Sequence, residues 1–191
     1  MCPSAYDELM SSPQLRRQDR TLAEAEARAL IERAYCGRLA TISPDGSPYI
    51  VPLLHVLTGD EIGVHNTAVR GHLRTNVERD GRACYEVDEP VKVFDYGRFE
   101  CDTGLAYSSA IAYGRIRIVD DRAAKSRFFD ALLAKYGTGA AGRPKSFYPR
   151  LDEVTVYAIR VERISGKQCP LPPISEQWPA LDRTKSPNAR P

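Results

Sequence analysis

The segment Val64–Asn76, VHNTAVRGHLRTN, holds two of the chain's three histidines, His65 and His72, together with Arg70 and Arg74. Here a strand end would deliver His65, Asn66 and Thr67, and a turn at Gly71 would open a helix with Arg70, His72, Leu73 and Arg74 at its start. Unpaired amides and the positive dipole end of a helix, with arginine forks and a hydroxyl beside them, suit a phosphate monoester. The same residue types also describe a solvated basic helix capped by Asn66 or Thr67, and histidines are often hydrogen-bonded structural residues. Both readings stand on residue types alone. His55, between Leu54 and Val56, is the weakest candidate of the three histidines.

Other chemistries find less support. A literal G-x-G-x-x-G runs from Gly137 to Gly142, but it follows a helical pattern instead of a strand, and Pro144 blocks the helix that a dinucleotide site needs next. It reads as a helix C-cap and loop. There is no G-x-S-x-G for a serine nucleophile, and no HExxH or acid at metal-ligand spacing, so no metal site is expected. Asp120-Asp121 and Asp152-Glu153 fall where elements begin and suit capping. The cysteines (Cys2, Cys36, Cys84, Cys101, Cys169) are odd in number and scattered, which predicts reduced thiols, with Cys36 and Cys84 as small core residues.

The elements that position these residues can be read from period and punctuation. Thr21-Leu22-Ala23-Glu24 has the form of a capping box, and the stripe Leu22, Ala25, Ala29, Leu30 and Ala34 predicts a helix to about Tyr35 with Gly37 as its C-cap. GRLATIS and PYIVPLLHVL, joined at Asp45-Gly46, predict a hairpin, with Pro48 and Pro52 confining the second strand to an edge, a bulge or a bend. EIGVH, ACYEV and Leu105–Val119 read as strands, with an irregular aromatic connection DEPVKVFDYGRFECDTG between the last two. Helices are expected over Arg70–Arg79 and after Asp120-Asp121. VTVYAIRVERI is a half-buried strand, and Ser165–Pro191, rich in proline, is expected to lack regular structure. Residues 1–18 form a flexible arm, 19–167 the folded domain and 168–191 a surface tail. The fold class is α+β, with a small antiparallel barrel hiding the strand edges.

Composition bounds the function. With 191 residues, 27 Lys+Arg against 25 Asp+Glu and no run of five like charges, the chain has no electrostatic footprint for nucleic acid or anionic membrane. Its longest nearly apolar stretch, Ile50–Leu57, falls far short of the roughly 18 residues that span a bilayer. The first twenty residues lack the apolar core of a secretory signal, so a cytoplasmic protein is expected.

In order, the opening helix, GRLATIS-PDGSPYIVPLLH, VHNTAVRGHLRTNV, ACYEVDE, YSSAIAYGRIRIV, RFFDALLAKY, VTVYAIRVERISGK and EQWPAL resemble the FMN-binding split-barrel proteins of the pyridoxamine 5'-phosphate oxidase superfamily, and within them the nitroimidazole-resistance type of flavin reductase. The resemblance covers about Thr21 to Leu181. It implies a six-stranded antiparallel split β-barrel with flanking helices, a homodimer with FMN at the subunit interface, and hydride passing from NAD(P)H through FMN to a small electrophile. By position, the phosphate and ribityl contacts fall on His65, Asn66, Thr67, Arg70, Gly71, His72 and Leu73. The flavin ring edge falls on the backbone of Leu39, Ala40 and Thr41, and the partner chain contributes near Tyr107, Ser108 and Ser109 and at Trp178. His65 is the candidate proton donor. Two departures stand out. His65 is six residues before Gly71 where the family's histidine stands five before, and the lysine usual after that glycine is absent, leaving Arg70 or Arg74 as substitutes. The resemblance also admits a non-catalytic flavin- or haem-binding protein.

Overall fold

The computed structural model describes residues 15–97, 99, 101–137 and 148–177. Eight strands form one antiparallel sheet: β1 (Thr21–Leu22), β2 (Gly37–Ile42), β3 (Pro48–Leu53), β4 (His55–Thr58), β5 (Glu61–Thr67), β6 (Arg82–Asp95), β7 (Thr103–Val119) and β8 (Val154–Cys169). Among the described residues three α-helices accompany them: α1 (Glu24–Arg33), α2 (His72–Arg79) and α3 (Arg122–Tyr136). The order across the sheet is β3-β2-β6-β7-β8-β5-β4, with β1 on β8. Its two ends, β3 and β4, are consecutive in the chain and separated only by Leu54, so the sheet curls until its edges meet covalently there. That is a split barrel. The proline-bearing β3 takes the edge position that its missing donors demand.

The hairpin at Asp45-Gly46 forms as its residues dictate. Gly46 adopts φ 87°, and the Asp45 carboxylate accepts from the Ser47 amide at 3.0 Å and from its hydroxyl at 2.6 Å. Inside the barrel, Leu39, Ile62, Val64, Tyr85, Val87, Ala112, Tyr157 and Ile159 close against Ala27, Leu30 and Ile31 of α1 and Leu73 and Val77 of α2. A second cluster joins Phe128 and Leu132 of α3 to Val56, Val119 and Val156. The bend foreseen at Gly114 falls at the register shift between β7 and β8, where a Cβ would run into the Arg160 carbonyl.

Several elements differ from the sequence reading. The first helix starts later: Ala23 is its N-cap, Glu26 accepts from the Ala23 amide at 2.9 Å, and Thr21-Leu22 pair with Lys167-Gly166 as a strand. Gly37 opens β2 instead of capping α1, which ends at Arg33 with Ala34 as its C-cap, and Tyr85 packs where a Cβ at position 37 would be. The aromatic connection is strand for most of its length. Asp88–Asp95 extends β6 against β7, and Pro90, which has no N–H, is absorbed at an irregularity before Lys92 that leaves Val91 out of the pairing. Likewise Ser165–Cys169 are strand, because Ile111–Tyr107 offer them a ladder. Cys36 is exposed, in the short link after α1, and Cys84 is half-buried.

Candidate functional site

Two arrays of polar side chains flank α2 where it crosses the barrel end. β2 alternates, with Leu39 and Thr41 buried in the interior while Ala40 faces outward. Helical spacing on α2 puts His72, Asn76 and Arg79 toward the end of β2. There the Asn76 amide donates to Thr41 Oγ1 at 3.1 Å, His72 Nε2 lies 3.1 Å from Ser43 Oγ, and Arg79 donates to the Ser43 carbonyl at 2.8 Å. The Tyr49 ring of β3 stacks on His72 at 4.4 Å. Asn76 is fully buried, and its Oδ1 has no partner among the described residues. Gly71 is the N-cap of α2, and no side chain caps that start.

On the other flank, Tyr157 donates its hydroxyl to Asn66 Oδ1 at 3.2 Å, and burial pushes the Tyr157 phenol up. Arg70, just before the helix, and Arg74, in its first turn, both hold Glu78, at 2.6 and 2.9 Å. Thr67 ends β5, exposed, opposite Val154. Leu73 is buried beneath α2 as core.

His65 stands apart from both arrays. Its ring lies 5.6 Å from that of Phe128 and 5.3 Å from that of Phe129 on α3. Burial lowers its pKa and keeps it neutral, and its Nδ1 is enclosed without a partner. An enclosed, neutral imidazole is poorly placed to pass a proton to a ligand at the start of α2.

The outer face of the sheet carries a groove of about 420 Å³, walled by Ala40, Ile50, Ile111 and Tyr113, with Arg38 and Glu86 at its charged rim. Arg38 bridges Glu86 at 3.2 Å and also Asp88. The guanidinium of Arg163 lies 3.8 Å from the centre of the Tyr113 ring. Burial pushes up both the Cys84 thiol and the Glu86 carboxyl in this wall. Further along β7, Tyr107, Ser108 and Ser109 pair with Cys169, Gln168 and Lys167 of β8. Trp178 and Thr138–Gly142 of the glycine-rich motif lie outside the described residues.

The structure therefore joins Asn66, Arg70, His72 and Thr41 to the surroundings of α2, buries Leu73 under that helix as core and packs His65 against α3. Ser43, Tyr49, Asn76, Arg79, Glu78 and Tyr157 were not singled out in the sequence. The i, i+4, i+7 spacing of His72, Asn76 and Arg79 was the available signal on α2; Ser43, Tyr49 and Tyr157 come in only through long-range strand pairing.

The description of the pyridoxamine 5'-phosphate oxidase family matches residues 23–168. The chain belongs to that family. The match spans β2 through nearly all of β8, so it includes α2 and both of its flanks. No curated protein matches the chain. Among solved structures, the chain is similar to the flavocytochrome Anf3 from Azotobacter vinelandii, with TM-score 0.71, 15% identity, and 84% of this chain and 74% of that one covered. It is also similar to an FAD and haem binding protein from Mycobacterium smegmatis, with TM-score 0.66, 18% identity and coverage of 81% and 76%. A candidate 5-nitroimidazole antibiotic resistance protein from Bacteroides thetaiotaomicron aligns with TM-score 0.64, 19% identity and coverage of 77% and 85%. At these identities the likeness is one of fold. No helix among the described residues is long and apolar enough to cross a membrane, and none of their His, Cys, Asp or Glu side chains gather as a metal-binding group.

Proposed function

We propose that this family member is an FMN-binding oxidoreductase that works as a homodimer, passing hydride from NAD(P)H to a small electrophile such as a nitro compound or a pyridoxamine-phosphate-like substrate. The observation that carries the reading is the start of α2, uncapped by any side chain and flanked by Arg70 and His72, in a barrel of this family. The residues fit a flavin mononucleotide. Arg70, His72 and the first amides of α2 would hold a phosphate, and the buried, unpartnered Asn76 Oδ1, an acceptor, would suit a hydroxyl of the ribityl chain.

Bound FMN would supply the hydride acceptor and donor. The chain's own part is to bind and orient. Ala40 faces out into the groove, whose walls at Ile50, Ile111 and Tyr113 offer an apolar surface for a flat ring. The groove is open to solvent on one side, and a second copy of the chain, bringing Tyr107 and Ser109 from the same outer face, would close it. In this arrangement no side chain acts as acid or base, and His65 serves to pack α3 against β5.

A second reading, a non-catalytic flavin or haem carrier, draws on the flavocytochrome and the FAD and haem binding protein among the structural neighbours. Visible spectra of the purified protein decide between the two. Yellow protein whose flavin bands bleach with NAD(P)H and return with an added nitro acceptor supports the oxidoreductase. A Soret band, or flavin that NAD(P)H never reduces, supports the carrier.

A further inference from the structure

Glu78 sits where helix electrostatics would not put it. It lies in the last turn of α2, where the dipole disfavours an anion, and Arg74 precedes it by four residues, the weaker order for a helical ion pair. Arg70 and Arg74 in turn lie at the end where cations are disfavoured. This three-residue array therefore does little for the helix itself. What it does is offer each oxygen of one carboxylate its own guanidinium, Oε2 to Arg70 and Oε1 to Arg74. Two arginines converging on neighbouring oxygens is the geometry that recognises a phosphate monoester.

We propose that Glu78 is an internal stand-in for the ligand's phosphate: it holds Arg70 and Arg74 until a phosphate monoester displaces it, and so sets how strongly the site prefers a phosphorylated flavin over an unphosphorylated one. The inference rests on the flavin reading above and deepens it by naming what controls the affinity. Displacement is sterically simple, because Arg70 and Glu78 are surface side chains, with 67% and 32% of the side chain exposed, and neither is locked into the core. The released Glu78 can remain in water. The Tyr157–Asn66 pair borders the array, with Arg74 and Glu78 both close enough to act on the phenol, so exchange of Glu78 for a phosphate would be felt there as well.

The test compares FMN, riboflavin and inorganic phosphate on the wild type and on Glu78→Gln. Removing the competing charge should tighten FMN about three- to tenfold at low salt, the scale of two partly exposed ion pairs, and the gain should shrink as salt screens the site. Riboflavin, which has no phosphate, should bind both proteins equally, and that equality also reports an intact fold. Thermal stabilisation by inorganic phosphate, over chloride at matched ionic strength, should be larger in Glu78→Gln, and adding Arg70→Gln should abolish the difference. Should the glutamine variant not fold, Glu78→Asp, which withdraws the carboxylate by one methylene, should show the same gain at smaller size. FMN and phosphate binding no tighter in the variant than in the wild type would overturn the proposal. If neither flavin binds either protein, the flavin reading fails, and the phosphate titration alone then decides the role of Glu78: a larger response in the variant sustains it, an equal one ends it.

Discussion

His55 and Tyr85 are bonded to one another in the barrel interior: Nδ1 of the imidazole lies 3.0 Å from the phenol oxygen, and both side chains are fully buried. Nε2 of His55 lies 2.6 Å from the Ile31 carbonyl, which calls for the proton on Nε2 and leaves Nδ1 as an acceptor facing Tyr85, while Lys135 Nζ also lies 3.2 Å from Nε2. The Tyr85 hydroxyl has one proton for two acceptors, Nδ1 and the Leu53 carbonyl at 2.7 Å, and shares it between them. Tyr136 brackets the backbone of His55 from α3, 2.9 Å from its carbonyl. The histidine that sequence ranked last is thus the joint between α1, the β3–β4 link, β6 and α3, directly beside Leu54, where the barrel closes.

This joint makes stability depend on pH. Burial holds folded His55 at about 4, against 6.5 when the chain unfolds. Between those values the unfolded chain binds a proton that the folded chain refuses. The stabilisation is therefore complete above about pH 6.5, is lost as pH falls toward 4, and amounts to about 3 kcal/mol. His65, lowered for the same reason, adds to the slope with the same sign. Urea unfolding at about pH 7, 5.5 and 4.5 should show the decline, and His55→Gln should flatten most of it. An unchanged slope in that variant would place the titrating group elsewhere.

Tyr85→Phe tests the same joint at constant pH. It removes the proton that His55 Nδ1 and the Leu53 carbonyl share and leaves a buried acceptor without a partner, a cost of about 1–3 kcal/mol. The ring still fills its space above Gly37, so the loss should appear as a lower urea midpoint with an unchanged m-value. A variant as stable as the wild type would mean that the hydroxyl contributes nothing net.

At Gly114 the issue is space. Alanine there drives its Cβ into the Arg160 carbonyl, a backbone atom that cannot rotate away, so β7 and β8 must part at their register shift. Gly114→Ala should cost about 3 kcal/mol, at the upper end for overpacking. Gly46→Ala in the exposed hairpin meets no neighbouring atom and pays only for its positive φ, about 1 kcal/mol. Thermal melts of the two variants should rank them in that order. The reverse ranking would refute the steric account.

Local signals carried the hairpin at Asp45-Gly46, the edge position of β3, the helix near Arg70–Arg79 and the bend at Gly114, because each is set by turn chemistry or short-range period. Where sequence misled, a distant partner overrode the local pattern. Thr21-Leu22 look like a helix cap until β8 offers them a ladder, and Asp88–Asp95 look irregular until β7 pairs with them around Pro90. The site divides in the same way. Arg70, His72 and Gly71 are neighbours in sequence and were visible together, whereas Ser43 and Tyr49 reach His72 only through strand pairing and helix docking. His65 looked chemical because of its neighbours in sequence, but β-strand alternation turns it away from Asn66, toward Phe128 and Phe129.

The outer sheet face gives a decisive prediction for the proposed dimer. Its middle is apolar, with Ile50 62% exposed beside Ala40, Ile111 and Tyr113, and its edge is charged, with Arg38, Glu86, Asp88 and Arg163. An apolar centre inside a polar rim is how protein interfaces are built. Ile111 points out of the barrel, so Ile111→Asp leaves the interior core untouched while burying two carboxylates in any interface formed by two such faces. An unpaired charge there should weaken association about a hundredfold or more. Light scattering should then report a dimer for the wild type and a monomer for the variant at micromolar concentration, with far-UV circular dichroism unchanged. Flavin retention should fall with it, since the groove loses the copy that closes it. A variant that stays dimeric and keeps flavin would move the interface off this face, and a monomer that keeps flavin at full affinity would show that one chain suffices to bind it.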